Sequence, residues 1–226
     1  MARKPSKLKL VASHERNGSR PVLHTLDLFC GAGGITEGFR EAGYGCLYGN
    51  DFMAEAIETF QANHPEAWAD GRRIETVEPS EVRAKLKLAK GEIDVLVGGP
   101  PCQGFSINAP ERFLSDPRNK LFTDYMRFVE EFEPKTFLFE NVPGLLSLGD
   151  GEVIRLILKE FERLGYHVTT KILFAAHYGV PQERWRLILL GSKFGEISAP
   201  EPTLSLIHIS EPTRRTPISY AVFCLK

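Results

Sequence analysis

The sequence predicts an α/β domain built on a doubly wound, mostly parallel β-sheet. Short apolar runs alternate with segments of helical periodicity from about residue 23 onward, and glycine-rich or polar turns follow the apolar runs. No internal repeat interrupts this alternation. Because strands separated by helices form parallel sheets covered on both faces, we expect ligands at the carboxyl ends of the strands.

The elements follow in order along the chain. A polar, basic segment, residues 1–22, is expected to be a flexible tail. Apolar runs then predict strands at 23–29, 45–50, 94–98, 136–140, 167–174 and 187–190. Helical spacing of apolar residues, with Pro65 closing one helix, predicts helices at 35–42, 53–63, 81–88, 120–132 and 153–164.

Composition limits the class of protein. The 226 residues suffice for one sizeable domain, and 42% hydrophobic with 25% charged residues is the balance of a soluble globular protein. The net charge of -1 gives no indication of nucleic acid. The four cysteines have no CxxC spacing, so we expect no metal site and no disulfide scaffold. Without a signal peptide or a membrane-length apolar run, we expect a cytoplasmic protein with no membrane contact.

A glycine-rich turn follows the first predicted strand. Gly31 and Gly33 allow a tight turn close to a ligand, and Asp51 ends the next strand, where a carboxylate can accept both hydroxyls of a ribose. Together they indicate an adenosine-containing cofactor, and the alternative is an ordinary turn with a surface Asp. Thr36 stands where a dinucleotide fingerprint has its third glycine, and no Walker lysine follows.

The most unusual stretch is Gly-Gly-Pro-Pro-Cys-Gln-Gly-Phe-Ser at 98–106. Two prolines stiffen a loop that holds Cys102 at the carboxyl edge of the sheet. A thiol there becomes a nucleophile when positive charge or backbone N–H groups stabilise its thiolate. The alternative, a buried structural cysteine, accounts poorly for the flanking Pro-Pro and Gln-Gly pairs.

Two further blocks carry ionisable side chains. Glu140 ends a strand beside the cysteine loop, where a partly buried carboxyl group can donate a proton near neutral pH. Strand alternation predicts that Arg184 and Arg186 share one face and direct two cations at one site. The alternatives are a capping or salt-bridging Glu and a solvated strand edge.

In this order, the blocks resemble those of the DNA (cytosine-5)-methyltransferase family in its bacterial form. The resemblance covers roughly 23–203, and its blocks lie at 27–39, 99–106, 140–142 and 182–186. It implies a Rossmann-like methyltransferase fold, S-adenosylmethionine as methyl donor, no metal, and a target cytosine flipped out of double-stranded DNA.

The resemblance also implies residue roles. The Cys102 thiolate adds to cytosine C6 so that C5 can take the methyl group, Glu140 binds and protonates N3, and Arg184 and Arg186 orient the base. The residues implied to hold the cofactor are Phe29, Gly31 and Gly33 around the methionine and adenosine, Asp51 at the ribose, Phe52 on the adenine, Asp70 near its amino group, and Pro100 between base and cofactor.

The resemblance divides the chain. We expect the tail 1–22, a catalytic domain 23–203, and a segment 204–226 outside the family pattern, with the region that recognises DNA absent. We therefore expect little activity from the chain alone, a monomer, and a partner restriction endonuclease in function only. The alternatives are methylation of RNA cytosine, a fold relative that only binds cofactor or DNA, and a nucleotide-binding oxidoreductase, which the glycine turn disfavours.

Overall fold

A seven-stranded β-sheet forms the centre of the structure, a computed structural model that describes residues 22–101 and 120–204. The strands are β1 His24–Leu28, β2 Gly45–Asn50, β3 Trp68–Asp70, β4 Val95–Gly98, β5 Thr136–Asn141, β6 His167–Phe174 and β7 Trp185–Ser192. They lie in the order β3-β2-β1-β4-β5-β7-β6. All neighbouring strands are parallel except β7, which is antiparallel to β5 and β6. The predicted mostly parallel α/β fold is confirmed.

Helices cover both faces of this sheet. They are α1 Gly34–Glu41, α2 Ala54–Asn63, α3 Pro79–Leu86, α4 Lys120–Phe132 and α5 Glu152–Arg163, with short 3₁₀ turns at Ile74–Thr76, Pro143–Leu146 and Ala175–Tyr178. Successive side chains of a strand point to opposite faces. In β1, Leu26 packs in the core cluster that contains Tyr125 of α4, whereas Asp27 is bonded to Thr36 of α1. Helices α1 and α4 therefore lie on opposite faces.

The structure differs from the sequence prediction at a few boundaries. Strand β3 was not predicted, because three residues are too short to show a period of two. Helix α3 begins at Pro79 rather than at 81, since proline is well suited to the first turn of a helix. Strand β7 runs from Trp185 to Ser192, longer than the predicted 187–190, because it pairs along both of its edges.

Aromatic side chains fill the core between β5 and the helices α4 and α5. Phe161 of α5 is fully buried and stacks on Phe137 of β5, with ring centroids 4.1 Å apart. The rings of Phe122, Tyr125 and Phe139 meet Phe161 at angles of 69° to 89°. Edge-to-face pairs of this kind add to the stabilisation that burial alone provides.

Within the described parts of the chain, no helix combines the length and the apolarity needed to cross a membrane.

We expect Gly191→Ala to destabilise the fold. Gly191 of β7 lies opposite Phe137, and a Cβ atom there would come within 1.9 Å of the Phe137 ring, which is held against Phe161. Overpacking of this kind costs about 1–3 kcal/mol, measured as the free energy of unfolding in urea. Gly38→Ala is the matched control, because its Cβ meets nothing within 4 Å and lies inside α1. The control should be neutral or stabilising, and equal effects would contradict the packing argument.

Candidate functional site

The predicted site residues that the structure describes gather at one edge of the sheet. Parallel pairing brings the carboxyl ends of β1, β2, β4 and β5 to this edge. Because β7 runs in the opposite direction, its first residues also lie there, with Leu187 opposite Asn141 and Ile188 opposite Glu140. The glycine turn, residues 99–101 at the start of the proline loop, the Glu-Asn block and Arg186 therefore lie at the same edge, although they are far apart in the sequence.

The glycine turn after β1 has an unusual backbone. Phe29, Gly31 and Gly33 all have positive φ angles, of 59°, 54° and 93°. The value at Phe29 is strained for a residue with a side chain, and such strain concentrates at ligand sites. Backbone hydrogen bonds help to hold the turn: Cys30 N donates to the Asn50 carbonyl at 3.0 Å, and Gly33 N donates to the Cys30 carbonyl at 2.9 Å.

Gly31 and Gly33 have different surroundings. A Cβ atom on Gly31 would meet nothing within 4 Å, so this glycine borders open space that a ligand can enter. A Cβ atom on Gly33 would come within 2.6 Å of His64 Nε2 and 3.0 Å of Phe60, because the buried end of α2 packs under the turn. Gly33 is thus required by internal packing as well as by its positive φ.

Asp51 is attached to the glycine turn and keeps acceptor capacity. Its Oδ2 atom accepts from Gly31 N at 3.0 Å and its Oδ1 atom accepts from Met53 N at 2.9 Å. A carboxylate has about four acceptor positions, so about two remain for the hydroxyl groups of a ribose. The geometry at Asp51 and Gly31 therefore fits an adenosine-containing cofactor.

Phe52 follows Asp51 and presents its ring to solvent. The side chain is 60% exposed, which is unusual for so large an apolar group. The Arg73 guanidinium lies 5.3 Å from the ring centroid and is held by Glu75 at 2.9 Å. An exposed, laterally supported ring beside Asp51 is a suitable surface for a flat base.

Asp70, at the end of β3, is already occupied by protein groups. Its side chain is only 5% exposed and is bonded to Tyr48 and to Arg72. Burial acts to raise the pKa of Asp70, but the hydrogen bonds from Arg72 and Tyr48 outweigh it and leave the pKa below its usual value. The structure thus places Asp70 beside Asp51 without leaving its carboxylate open.

The proline loop is fastened to the Glu-Asn block where the loop begins. The Asn141 side-chain amide donates to the Pro100 carbonyl at 3.1 Å, and the Asn141 side-chain oxygen accepts from Val142 N at 2.9 Å. A Cβ atom on Gly99 would lie 2.9 Å from Glu140 Oε2, so a larger residue here would displace the Glu140 carboxylate from its present position. Pro100 and Glu140 are therefore adjacent.

Arg186 completes this side of the site. Its Nε atom lies 2.6 Å from Glu140 Oε1, and both side chains are about one quarter exposed. The ion pair fixes the Glu140 carboxylate at the opening of the site. Arg184 lies one residue before β7 and its carbonyl accepts from Ala175 N, while its guanidinium forms no ion pair with a residue that the structure describes.

Cys102 lies outside the described residues, so its predicted role remains a prediction. The two cysteines that are described, Cys30 and Cys46, are buried free thiols. Burial raises the pKa of the Cys30 thiol far above its ordinary value and that of Cys46 to about 11. Neither is therefore suited to act as a nucleophile near neutral pH.

Sequence reasoning missed a buried acid beneath the glycine turn. Asp27 is 1% exposed, and its Oδ2 atom accepts from the Thr36 hydroxyl at 2.6 Å, which ties β1 to α1. Burial raises the pKa of Asp27 to about 7. The signal was a lone acid inside an apolar strand run, nine residues before Thr36. Among the described residues, no group of three or more His, Cys, Asp or Glu could hold a metal ion.

Comparisons with known proteins agree on one family. The family model described as C-5 cytosine-specific DNA methylase matches residues 23–219. The chain is 48% identical over 182 residues to the Type II methyltransferase M.AgeI of Thalassovita gelatinovora, covering 80% of this chain and 42% of that protein. It is 40% identical over 174 residues to the Type II methyltransferase M.DdeI of Desulfomicrobium norvegicum, covering 76% and 41%.

A solved structure agrees with these relatives. A crystal structure described as a DNA modification methyltransferase encoded within an E. coli prophage superposes with a TM-score of 0.65 and 29% identity, covering 76% of this chain and 47% of that one. The chain thus spans less than half the length of these matched proteins.

Buried Asp27 should make stability depend on pH. Its folded-state pKa of about 7 lies above the value of 3.8 that is ordinary for an aspartate, so folding favours the protonated form. The free energy of unfolding of wild type, relative to that of Asp27→Asn, should be highest below about pH 4. This relative stability should fall as the pH rises from there through about 7. Urea unfolding of both proteins across this range measures it, and a difference that does not vary with pH would contradict the buried acid.

Proposed function

Because the chain belongs to the C-5 cytosine-specific DNA methylase family, we propose that it forms the catalytic part of an enzyme that methylates C5 of cytosine in double-stranded DNA. The observation that carries this proposal is the convergence of Glu140, Arg186 and the base of the proline loop at the edge that also holds the glycine turn. Such an arrangement brings a base site and a cofactor site together.

We propose S-adenosylmethionine as the methyl donor, and the pocket around Asp51 supports this choice. When bound, S-adenosylmethionine supplies an electrophilic methyl group. Asp51 would accept the ribose hydroxyls, Gly31 would leave room for the ligand, and the Phe52 ring would carry the adenine. The Phe29 and Gly33 backbone would shape the methionine end, with Pro100 between cofactor and base.

On the base side, Cys102 would supply the nucleophile. Its Sγ atom would form a bond to cytosine C6, which makes C5 able to attack the methyl group, and the bond would break again when the C5 proton is lost. Glu140 would protonate N3 and so offset the charge that addition places in the ring. Arg186 would hold the Glu140 carboxylate, and Arg184 would contribute further positive charge. The ring must leave the base stack for these groups to reach it.

The recognition of DNA is proposed to lie in a further part of the enzyme. The chain covers 42% of M.AgeI and 41% of M.DdeI, and its net charge of -1 offers little attraction to phosphates. We propose residues 23–203 as the catalytic domain, with 1–22 and 204–226 as segments outside it. The active form would be a cytoplasmic monomer that protects sites from a partner restriction endonuclease.

The nucleophile is tested with DNA that contains 5-fluorocytosine. Release of the enzyme from C6 requires removal of the C5 proton, and the fluorine that replaces this proton cannot be removed, so the enzyme stays bonded to C6. We expect a fusion of residues 1–203 to the downstream half of M.AgeI to form this covalent complex with duplex DNA in the presence of S-adenosylmethionine. Cys102→Ser should abolish the complex, whereas Cys224→Ser, made in the same fusion extended to residue 226, should not. Trapping by Cys102→Ser would show that the nucleophile is another residue.

Dependence on the recognition half is tested by methyl transfer. We expect residues 1–226 alone to label duplex DNA at a rate at least about 100 times lower than the fusion, because phosphate and base contacts supply most of the affinity for DNA. Radioactive methyl incorporation into duplex DNA measures both rates, and tRNA serves as the comparison substrate. Equal rates for the chain and the fusion would contradict the proposal that a further part of the enzyme recognises DNA. Preferential labelling of tRNA would contradict DNA as the substrate.

A further inference from the structure

The Asp70 carboxylate has no acceptor position left for a ligand. Its Oδ1 atom accepts from Arg72 N at 3.1 Å and from Arg72 Nε at 3.0 Å. Its Oδ2 atom accepts from the Tyr48 hydroxyl at 3.0 Å and from Arg72 Nη2 at 2.8 Å. Since a carboxylate offers about four acceptor positions, Arg72 and Tyr48 use the whole of its capacity.

Arg72 supplies most of these bonds and is the more exposed partner. Its side chain is 39% exposed, whereas that of Asp70 is 5% exposed and Tyr48 is fully buried. The other contact of the guanidinium is Glu81, 3.3 Å away and 55% exposed, and exposed ion pairs of this kind hold a side chain weakly. Arg72 can therefore leave Asp70 without disturbing the core, whereas Tyr48 cannot.

Asp70 nevertheless lies next to the proposed ribose acceptor. Asp51 N donates to the Asp70 carbonyl at 3.2 Å, and the Asn50 side-chain amide donates to the carbonyls of Asp70 and Arg72, both at 2.9 Å. These bonds fix the end of β3 against the end of β2. For an adenine whose ribose is held by Asp51, it is the family resemblance that implies an exocyclic amino group near Asp70.

We propose that Arg72 competes with the adenine amino group of the cofactor for the Asp70 carboxylate. Arg72 fills the acceptor in the free protein, and it gives up at least one donor when the adenine binds. This inference rests on the proposed methyl donor. Arg72 then sets how tightly a purine with a 6-amino group is bound. The affinity for this purine is lower than it would be if Arg72 did not occupy the Asp70 carboxylate. The opposite possibility, that Arg72 holds Asp70 ready for the adenine, predicts the opposite effect of its removal.

The test measures binding by calorimetry with the 226-residue chain. The probes are S-adenosylhomocysteine, which has the 6-amino group, and S-inosylhomocysteine, which carries an oxygen at that position. We expect Arg72→Ala to bind S-adenosylhomocysteine about tenfold more tightly than wild type, the factor that corresponds to one net hydrogen bond to a charged group. Binding of S-inosylhomocysteine should be unchanged.

Two further variants complete the design. Arg72→Lys keeps the charge but loses the forked geometry, so we expect an affinity between those of wild type and Arg72→Ala. Arg83→Ala is the matched control. It removes a different arginine, on α3, whose Nε atom lies 2.6 Å from Glu131, and it leaves every contact of Asp70 in place. Its affinity for both probes should equal that of wild type.

Unchanged or weaker binding of S-adenosylhomocysteine by Arg72→Ala would overturn the competition, and so would equal tightening of both probes. Either result leaves the proposed methyl donor intact, because binding itself is observed. If neither wild type nor any variant binds S-adenosylhomocysteine, the proposed methyl donor is contradicted, and the competition is overturned with it.

Discussion

The antiparallel pairing of β7 with β5 is the constraint on which the candidate site depends. In a wholly parallel sheet, the first residues of the last strand would lie at the edge opposite the ligand site. Here the reversal brings Arg186 to the carboxyl end of β5, where it meets Glu140 at 2.6 Å. The two charged groups come from blocks more than forty positions apart in the sequence, and strand direction alone decides that they meet. Dense packing of Phe137 against Gly191 and Phe161 fixes the register of this pairing.

Two acids at neighbouring strand ends show how the environment gives one residue type two different states. Each carboxylate oxygen of Asp51 accepts one hydrogen bond from a backbone N–H group, and its other acceptor position stays available. Asp70 is filled by Arg72 and Tyr48. Because one of the two backbone bonds of Asp51 comes from Gly31 in the glycine turn, a ligand at Asp51 would also contact a turn whose shape that acid helps to maintain. Asp70 is instead coupled to a surface arginine, which makes its availability adjustable.

Buried side chains that have no proposed catalytic or binding role pack beneath the glycine turn and stabilise it. Phe29 takes up a positive φ that costs about 1 kcal/mol or more, and the fold compensates through packing around it. Gly33 rests on His64 and Phe60, and the bond between Thr36 and Asp27 joins the helix after the turn to the strand before it. Mobility in the turn is therefore limited by contacts that lie one layer beneath the ligand surface, which keeps the open space beside Gly31 in a defined shape.

The sequence by itself determined the fold class, most of the elements and the family, because these depend on local periodicity and on short blocks of residues. The strands β2 and β6 and the helix α4 have the predicted bounds, since their apolar patterns are long or end at clear turns. The same blocks named Glu140 and Asp51 as candidates. Their roles, and that of Cys102, remain predictions.

Only the tertiary structure decided which hydrogen bonds and ion pairs those candidate residues form. Strand β3 has no pattern of its own and forms because β2 offers it an edge. The occupation of Asp70 by Arg72 and the burial of Asp27 against Thr36 depend on which side chains meet after folding. Periodicity predicts which face of an element a residue occupies, but it does not predict which side chain contacts it there. That contact sets the charge and the free acceptor capacity of each acid.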